Sequence, residues 1–76
     1  MFKVKILNYK EVLYSGSATE VILSSEEGEI TIMDFHQPIL SRLSKGIINI
    51  DKKWFFKIKD GIACLKKGEL KVIVET

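Results

Sequence analysis

Apolar and polar side chains alternate one by one along three segments of the chain, at its start, past its middle and at its end. The apolar members are Phe2, Val4 and Ile6; Trp54, Phe56 and Ile58; and Leu70, Val72 and Val74. Successive side chains of a strand point to opposite faces of a sheet, so this alternation predicts strands with one buried face. β-Branched and aromatic residues, which strands prefer, are frequent here. We expect Phe55, which is out of phase, to point outward with the lysines or into a second packed surface.

Short polar or glycine-containing segments separate the predicted strands. They are Ser15–Ser17, Glu27-Gly28, Lys45-Gly46, Asp51–Lys53, Asp60-Gly61 and Lys66–Glu69. Asp60-Gly61 is the strongest hairpin signal, because hairpin turns often need positive φ at both central residues. Residues 38–46 are predicted to be extended, with at most one helical turn. Turn signals at this spacing predict an all-β fold, a small antiparallel β-sandwich or flattened barrel of about eight to ten short strands.

Size and composition predict one small domain, residues 1–76. Hydrophobic residues make up 46% of the chain and charged residues 29%, which is typical of globular proteins. The net charge of +2 is too small to indicate nucleic-acid binding by itself. No apolar run is long enough to predict a membrane-spanning helix. The single cysteine, Cys64, excludes an internal disulfide, and lysines interrupt the apolar N-terminus, so we expect a cytoplasmic setting.

His36, the only histidine, lies two residues before Pro38, the only proline. Nucleophilic catalysis needs a nucleophile, a base and an orienting acid together, and a metal site needs several His, Cys or carboxylate ligands. The sequence contains no motif of either kind, so we expect no catalytic residue, no metal ion and no cofactor. Two interpretations of His36 remain open: a corner residue bonded to the backbone, or part of an interface with another protein.

Three acidic residues surround Gly28, namely Glu26, Glu27 and Glu29. They form either a solvated turn or a charged loop tip that docks on a basic loop of a partner. Several predicted strands also carry consecutive apolar residues, as in Val21–Leu23, and so have apolar side chains on both faces. Apolar residues on an outer face suggest a contact surface for another protein.

Lysines flank the aromatic segment Trp54–Phe56 in a pattern that also suits a single-stranded nucleic-acid platform, where bases stack on exposed rings. They are Lys52, Lys53, Lys57 and Lys59. Alternation alone explains the aromatic positions, so a core strand is the preferred interpretation. A small β-barrel nucleic-acid-binding module is the alternative. Cys64 is in phase with Ile62 and is predicted to be a small core residue.

Residues 28–46, GEITIMDFHQPILSRLSKG, resemble the hallmark of the epsilon subunit of F-type ATP synthases, called delta in mitochondria. In that family a Gly-Glu turn leads to Pro-Gly-His-x-Pro, two apolar residues, a Thr or Ser, and a later Gly. The matching residues are Gly28, Glu29, Ile30, Ile32, Met33, His36, Pro38, Ile39, Leu40, Ser41, Leu43 and Gly46. Tyr14 and Gly16 match upstream and Gly61 downstream, so the resemblance extends along the chain. Asp34-Phe35 replaces the family's Pro-Gly.

The resemblance implies a non-catalytic subunit of the rotating central stalk, linking the gamma subunit to the membrane c-ring and coupling proton flow to ATP synthesis. The implied contacts are Asn8, His36, Gln37 and Ser41 with the gamma subunit, and Glu27, Gly28 and Glu29 with the c-ring. We expect peripheral association with the cytoplasmic face of a bacterial inner membrane and no nucleic-acid partner. Family members usually continue into a C-terminal helical hairpin that inhibits ATP hydrolysis, and we expect no such inhibition from residues 1–76.

Overall fold

The computed structural model describes residues 1–76 and contains nine β-strands and no helix. The strands are β1 (Phe2–Leu7), β2 (Val12–Ala18), β3 (Glu20–Ser25), β4 (Gly28–Met33), β5 (Ile39–Leu43), β6 (Gly46–Ile50), β7 (Trp54–Ile58), β8 (Asp60–Lys66) and β9 (Glu69–Glu75). This confirms the predicted all-β fold and the extended segment after Pro38. Nothing in the chain forms a helix of the length and hydropathy needed to cross a membrane.

The strands form one hydrogen-bonded path in the order β2-β1-β9-β8-β5-β3-β6-β7, and β4 pairs with β3. The path has two halves, β2-β1-β9-β8-β5 and β4-β3-β6-β7, which meet where Ser25 pairs with Leu43. Every pairing is antiparallel except that between β1 and β9, which is parallel. The antiparallel prediction therefore needs one correction, because the first and last strands of the chain run side by side in the same direction.

The hydrophobic core contains 16 buried residues and draws on both halves of the sheet. The predicted alternation is confirmed in β1 and β9, where every second side chain is buried: Phe2, Val4, Ile6, Leu70, Val72 and Val74. Complete burial of an aliphatic or aromatic side chain contributes about 1.5–3 kcal/mol. The parallel pair of terminal strands is therefore a large part of what stabilises this small domain.

The predicted place of Cys64 in the core is wrong. The buried residues of β8 are Ala63 and Leu65, whereas Ile62 is 52% exposed and Cys64 is half-buried. Because the middle of this strand is apolar throughout, its pattern does not identify the inner face. The pairing of Ala63 with the buried Val72 of β9 decides which face is buried.

Aromatic side chains connect the two ends of the curled sheet. β7 pairs with β6 alone, and the ring of Tyr14 on β2 lies 6.4 Å from that of Trp54 and 6.2 Å from that of Phe56. Trp54 packs on Tyr14 but remains 54% exposed, so its predicted burial in the core is wrong. Ile58 is buried and Phe55 points outward, as predicted.

Two of the predicted turns are parts of strands. Ser15–Ser17 lies within β2, and Asp60-Gly61 begins β8, which pairs with β9 and β5 rather than with β7. Gly61 has another role, because a Cβ at this position would lie 2.8 Å from the carbonyl oxygen of Ile73 on β9. The remaining turn signals are confirmed at 27–28, 45–46, 51–53 and 66–69.

Candidate functional site

The acidic turn, residues 26–29, connects β3 to β4. Gly28 pairs with Ser25 and has φ 123°, a backbone conformation that residues with a Cβ rarely adopt. The buried Ser25 hydroxyl donates to the Gly28 carbonyl oxygen at 2.6 Å and accepts from the Glu27 amide at 3.3 Å. The backbone of the acidic turn is therefore held from inside, while the side chains of Glu26, Glu27 and Glu29 are exposed.

Arg42, the only arginine, neutralises part of the acidic turn. Its Nε lies 3.2 Å from Glu26 Oε1, and its Nη2 lies 3.2 Å from Asp60 Oδ2. Glu27 and Glu29 make no ion pair within the chain. These two carboxylates can therefore accept charge-assisted hydrogen bonds from lysine, arginine or amide groups of another protein.

The corner, residues 34–38, joins β4 to β5 through a four-residue turn. The His36 amide donates to the Met33 carbonyl oxygen at 3.2 Å, and Phe35, the third residue of this turn, has φ 65°. Positive φ at the third position characterises type II turns, which favour glycine there. A bulky side chain in this conformation adds strain of about 1–2 kcal/mol. The Phe35 side chain is fully exposed, so no packing within the chain offsets the strain.

Two further contacts restrain the corner. The N-terminal amine of Met1 lies 2.8 Å from Asp34 Oδ2, and His36 Nδ1 lies 2.7 Å from the carbonyl oxygen of Gln37. The Nδ1–H tautomer of the imidazole donates to that oxygen. His36 is thus a corner residue bonded to the backbone, which is one of the two interpretations that the sequence left open. Its exposed ring can also contact another protein.

The predicted interface residues lie at different places on the domain. Asn8 follows β1 at the end of the strands that carries the acidic turn, and its Oδ1 accepts from the Glu11 amide at 2.8 Å. His36 and Gln37 lie at the opposite end, while Ser41 is half-buried in the middle of β5. The structure does not bring Asn8 together with His36. A partner that contacts all four residues has to extend along the strands of a domain that measures 28 × 26 × 21 Å.

Two residues that shape the acidic turn, Ser25 and Arg42, were not among the predicted interface residues. Ser25 carries a local signal, because serine hydroxyls often bond the backbone two residues on and favour turns. Arg42 carries no local signal. Its partners Glu26 and Asp60 come from different parts of the chain, and only the fold brings the three together.

Asp51 anchors the end of the domain where the corner lies. It also has positive φ, at 52°, but its Oδ1 accepts from the Thr19 hydroxyl at 2.8 Å and from the Thr19 and Glu20 amides at 2.9 Å. The Thr19 hydroxyl is the main reason that the pKa of Asp51 is lowered; burial opposes this effect, and the two amides and the charge of Lys53 add to it. At Asp51 the unusual backbone conformation is therefore accompanied by three hydrogen bonds to the carboxylate.

A metal site and a nucleic-acid platform are the other kinds of site that the sequence raised. Nowhere do three or more His, Cys, Asp or Glu side chains converge in a way that could hold a metal ion. On β7, Trp54 packs against Tyr14, and Phe55 is 60% exposed beside lysines. Single-strand platforms stack successive bases on several rings. The acidic turn and the corner are therefore the stronger candidates for a functional surface, and the chemistry of both suits contact with another protein.

Comparison with protein families gives a match to the whole chain. A family model described as the β-sandwich domain of the ATP synthase delta/epsilon chain matches residues 1–76. The chain is 32% identical over 77 residues to the plastid ATP synthase epsilon chain of Prototheca wickerhamii and 30% identical over 79 residues to the ATP synthase epsilon chain of Halorhodospira halophila. Both alignments cover 97% of this chain but only 58% and 56% of the relatives, so the chain spans less than two thirds of their length.

Solved structures share the fold. A chain of the Tetrahymena thermophila mitochondrial ATP synthase central stalk and c-ring matches with a TM-score of 0.85 and 13% identity, covering 97% of this chain and 63% of that one. A chain of the Euglena gracilis mitochondrial ATP synthase, from a structure of OSCP, F1 and c-ring, matches with a TM-score of 0.83 and 15% identity, covering 96% and 49%. At these identities the likeness establishes the fold, which agrees with the predicted β-sandwich.

Proposed function

The chain belongs to the family of ATP synthase delta/epsilon chain β-sandwich domains, and from this premise we propose that it is a non-catalytic rotor subunit of an F-type ATP synthase. It connects the gamma subunit to the c-ring, so that rotation driven by proton flow reaches the catalytic sites. The observation that carries the proposal is the family match along residues 1–76. The proposed location is peripheral, at the cytoplasmic face of a bacterial inner membrane.

The proposed c-ring contact is formed by Glu27, Gly28 and Glu29. It is supported by the two carboxylates without an ion pair and by the backbone that Ser25 holds in place. Charged contacts of this kind fix the relative position of two proteins more than they add affinity. That property suits a joint that must transmit rotation without slipping.

The proposed gamma contact is formed by His36 and Gln37 at the corner, with Ser41 and Asn8 further along the domain. The corner and the acidic turn lie at opposite ends of β4, which spans about 17 Å for its length. Different partners can therefore contact the corner and the acidic turn at the same time. The gamma subunit lies along the strands in this arrangement, because Asn8 is far from His36.

The part that the chain plays in the reaction is mechanical. A domain that transmits torque must resist deformation, and 38 of the 45 backbone hydrogen bonds lie within the strands of the sheet. The side chains at both proposed contacts bind and position partners, and none of them makes or breaks covalent bonds in this proposal.

The proposal is tested in the assembled ATP synthase with two single variants. Glu29→Lys is expected to leave the affinity for purified gamma subunit unchanged and to reduce proton pumping per ATP hydrolysed in membrane vesicles, because the c-ring contact is reversed in charge. His36→Ala is expected to weaken binding of the gamma subunit. Affinity is measured by calorimetry, and pumping by the quenching of a pH-sensitive dye.

Matched controls separate these contacts from general effects. Glu69→Lys makes the same charge change on an exposed residue of β9, far from the acidic turn, and Ser15→Ala truncates an exposed residue of β2. Both should behave as wild type. Normal coupling and normal gamma affinity in a Glu29→Lys, His36→Ala double variant would contradict the proposed contacts. A wild-type chain that fails to bind the gamma subunit, yet binds single-stranded nucleic acid in a salt-sensitive way, would favour the alternative function.

A further inference from the structure

Phe35 combines two properties that oppose folding. Its backbone has φ 65° at the turn position where glycine fits best, and its aromatic ring is fully exposed to water. The turn does not require phenylalanine, because glycine or asparagine would adopt the same backbone conformation with less strain. Backbone strain that no contact within the chain offsets is typical of a functional site.

The surroundings of Phe35 resemble the centre of a protein interface. Met33 and Met1 are large apolar residues at the same corner, 54% and 78% exposed. His36 and Gln37 follow directly and offer polar groups to a partner. An aromatic anchor with apolar neighbours and polar groups at its edge is the usual composition of an interface hot spot.

We propose that Phe35 is the anchor of this interface and inserts into an apolar pocket of the protein that contacts His36 and Gln37. The inference rests on the proposed function, under which that protein is the gamma subunit. The corner is prepared for this role before binding. The bond from the His36 amide to the Met33 carbonyl oxygen and the contact between the Met1 amine and Asp34 restrain the backbone that carries the ring. A preformed anchor loses less conformational freedom on binding.

The charges of the corner favour a protein pocket over a membrane surface. Residues 33–38 contain no lysine or arginine, and the N-terminal amine of Met1 is paired with the carboxylate of Asp34. Segments that insert apolar residues into anionic membranes usually place basic residues beside them. His36 and Gln37 instead offer hydrogen-bond donors and acceptors, which match the polar rim of a pocket in another protein.

The test compares stability and affinity in the same variants of the full chain. Phe35→Asn and Phe35→Gly should raise Tm by about 2–8 °C, because strain is relieved. The same variants should raise the Kd for purified gamma subunit at least tenfold, because the anchor is lost. Phe35→Leu keeps an apolar anchor and should retain most of the affinity. Phe55→Asn is the matched control, since Phe55 is also an exposed aromatic but lies in a regular strand, and its Kd should be that of wild type.

Each other outcome overturns a defined part of the inference. If wild type and Phe35→Asn bind the gamma subunit equally, Phe35 is not an anchor, while the proposed function stands. If the wild-type chain does not bind the gamma subunit, the proposed function and this inference fail together. A lower Tm for Phe35→Asn shows that the ring stabilises the chain itself. If Phe35→Asn abolishes self-association, or binding to vesicles of phosphatidylglycerol and phosphatidylcholine, the occupant is a second copy or a lipid and not the gamma subunit.

Discussion

The strand β4 begins and ends at a tight turn that contains a residue with positive φ. That residue is glycine at one turn and a bulky aromatic residue at the other. At its start φ is 123° at Gly28, and at its end φ is 65° at Phe35. Gly28 adopts its conformation without strain and leaves the neighbouring glutamates free to make contacts. Phe35 adopts its conformation with strain and exposes a large ring. The residue at the acidic turn therefore suits folding, whereas the corner keeps a side chain that lowers the stability of the folded chain.

A third position with positive φ is stabilised by hydrogen bonds of its own side chain. Asp51, at φ 52°, is also a residue other than glycine in a left-handed conformation, at the same end of the domain as Phe35. Its carboxylate accepts three hydrogen bonds from Thr19 and Glu20, and these bonds offset the strain of the backbone. Phe35 makes no such stabilising contact within the chain, and under our proposal a partner provides it.

The largest expected effect comes from adding a Cβ to Gly28. No atom lies within 4 Å of the position that this Cβ would take, so any loss comes from the backbone alone. We expect Gly28→Ala to lower the free energy of unfolding by about 2–3 kcal/mol, measured by urea denaturation. Glu27→Ala, at the preceding exposed position, should change it by less than about 0.5 kcal/mol. Equal stability of Gly28→Ala and wild type would show that the turn does not require its positive φ.

A smaller effect is expected from Asp51→Asn. Asparagine tolerates positive φ and keeps an acceptor oxygen, so this variant removes the charge and little else. Because hydrogen bonds to charged groups are stronger than neutral ones, we expect the free energy of unfolding at pH 7 to fall by about 1–2 kcal/mol. Lys52→Ala is the control, because it truncates a side chain at the adjacent exposed position, with φ 56°, and keeps the Asp51 carboxylate.

The same variant predicts a pH dependence. The folded-state pKa of Asp51 is lowered, so its contribution to stability is complete above the unfolded pKa of about 3.9 and is lost as pH falls through the lower folded value. The difference in unfolding free energy between wild type and Asp51→Asn should be constant from pH 7 to about pH 5 and should shrink below about pH 4. A difference that stays constant down to pH 2 would exclude the carboxylate as its source.

The smallest effect is expected from Arg42→Ala. Its ion pairs with Glu26 and Asp60 are exposed, and exposed ion pairs contribute about 0–1 kcal/mol. We expect a loss of less than about 1 kcal/mol that decreases further at high salt. A larger, salt-independent loss would show that Arg42 helps to build the acidic turn and does more than partly neutralise it. Lys59→Ala is the control, since Lys59 is an exposed cation near the same end without an ion pair.

Much of the fold follows from local chemistry that is visible in the sequence. Strict alternation identified the buried faces of β1 and β9, because a strand with one wet face must place apolar residues at every second position. The turns at Glu27-Gly28 and Lys66–Glu69 were also predictable, since positive φ selects glycine. The resemblance in residues 28–46 led to the family that the whole chain matches.

Other features depended on contacts between distant parts of the chain, which no local pattern encodes. Asp60-Gly61 does not form the predicted hairpin turn, because β8 pairs with β9 and β5. The strand around Cys64 is apolar on both faces, and its pairing with β9 determines which face is buried. The parallel contact of β1 with β9 and the separation of Asn8 from His36 follow from the same topology. The sequence by itself determined which residues prefer strands, turns and burial; the tertiary structure decided which strands are neighbours, because hydrogen bonding between strands joins residues that are far apart in the chain.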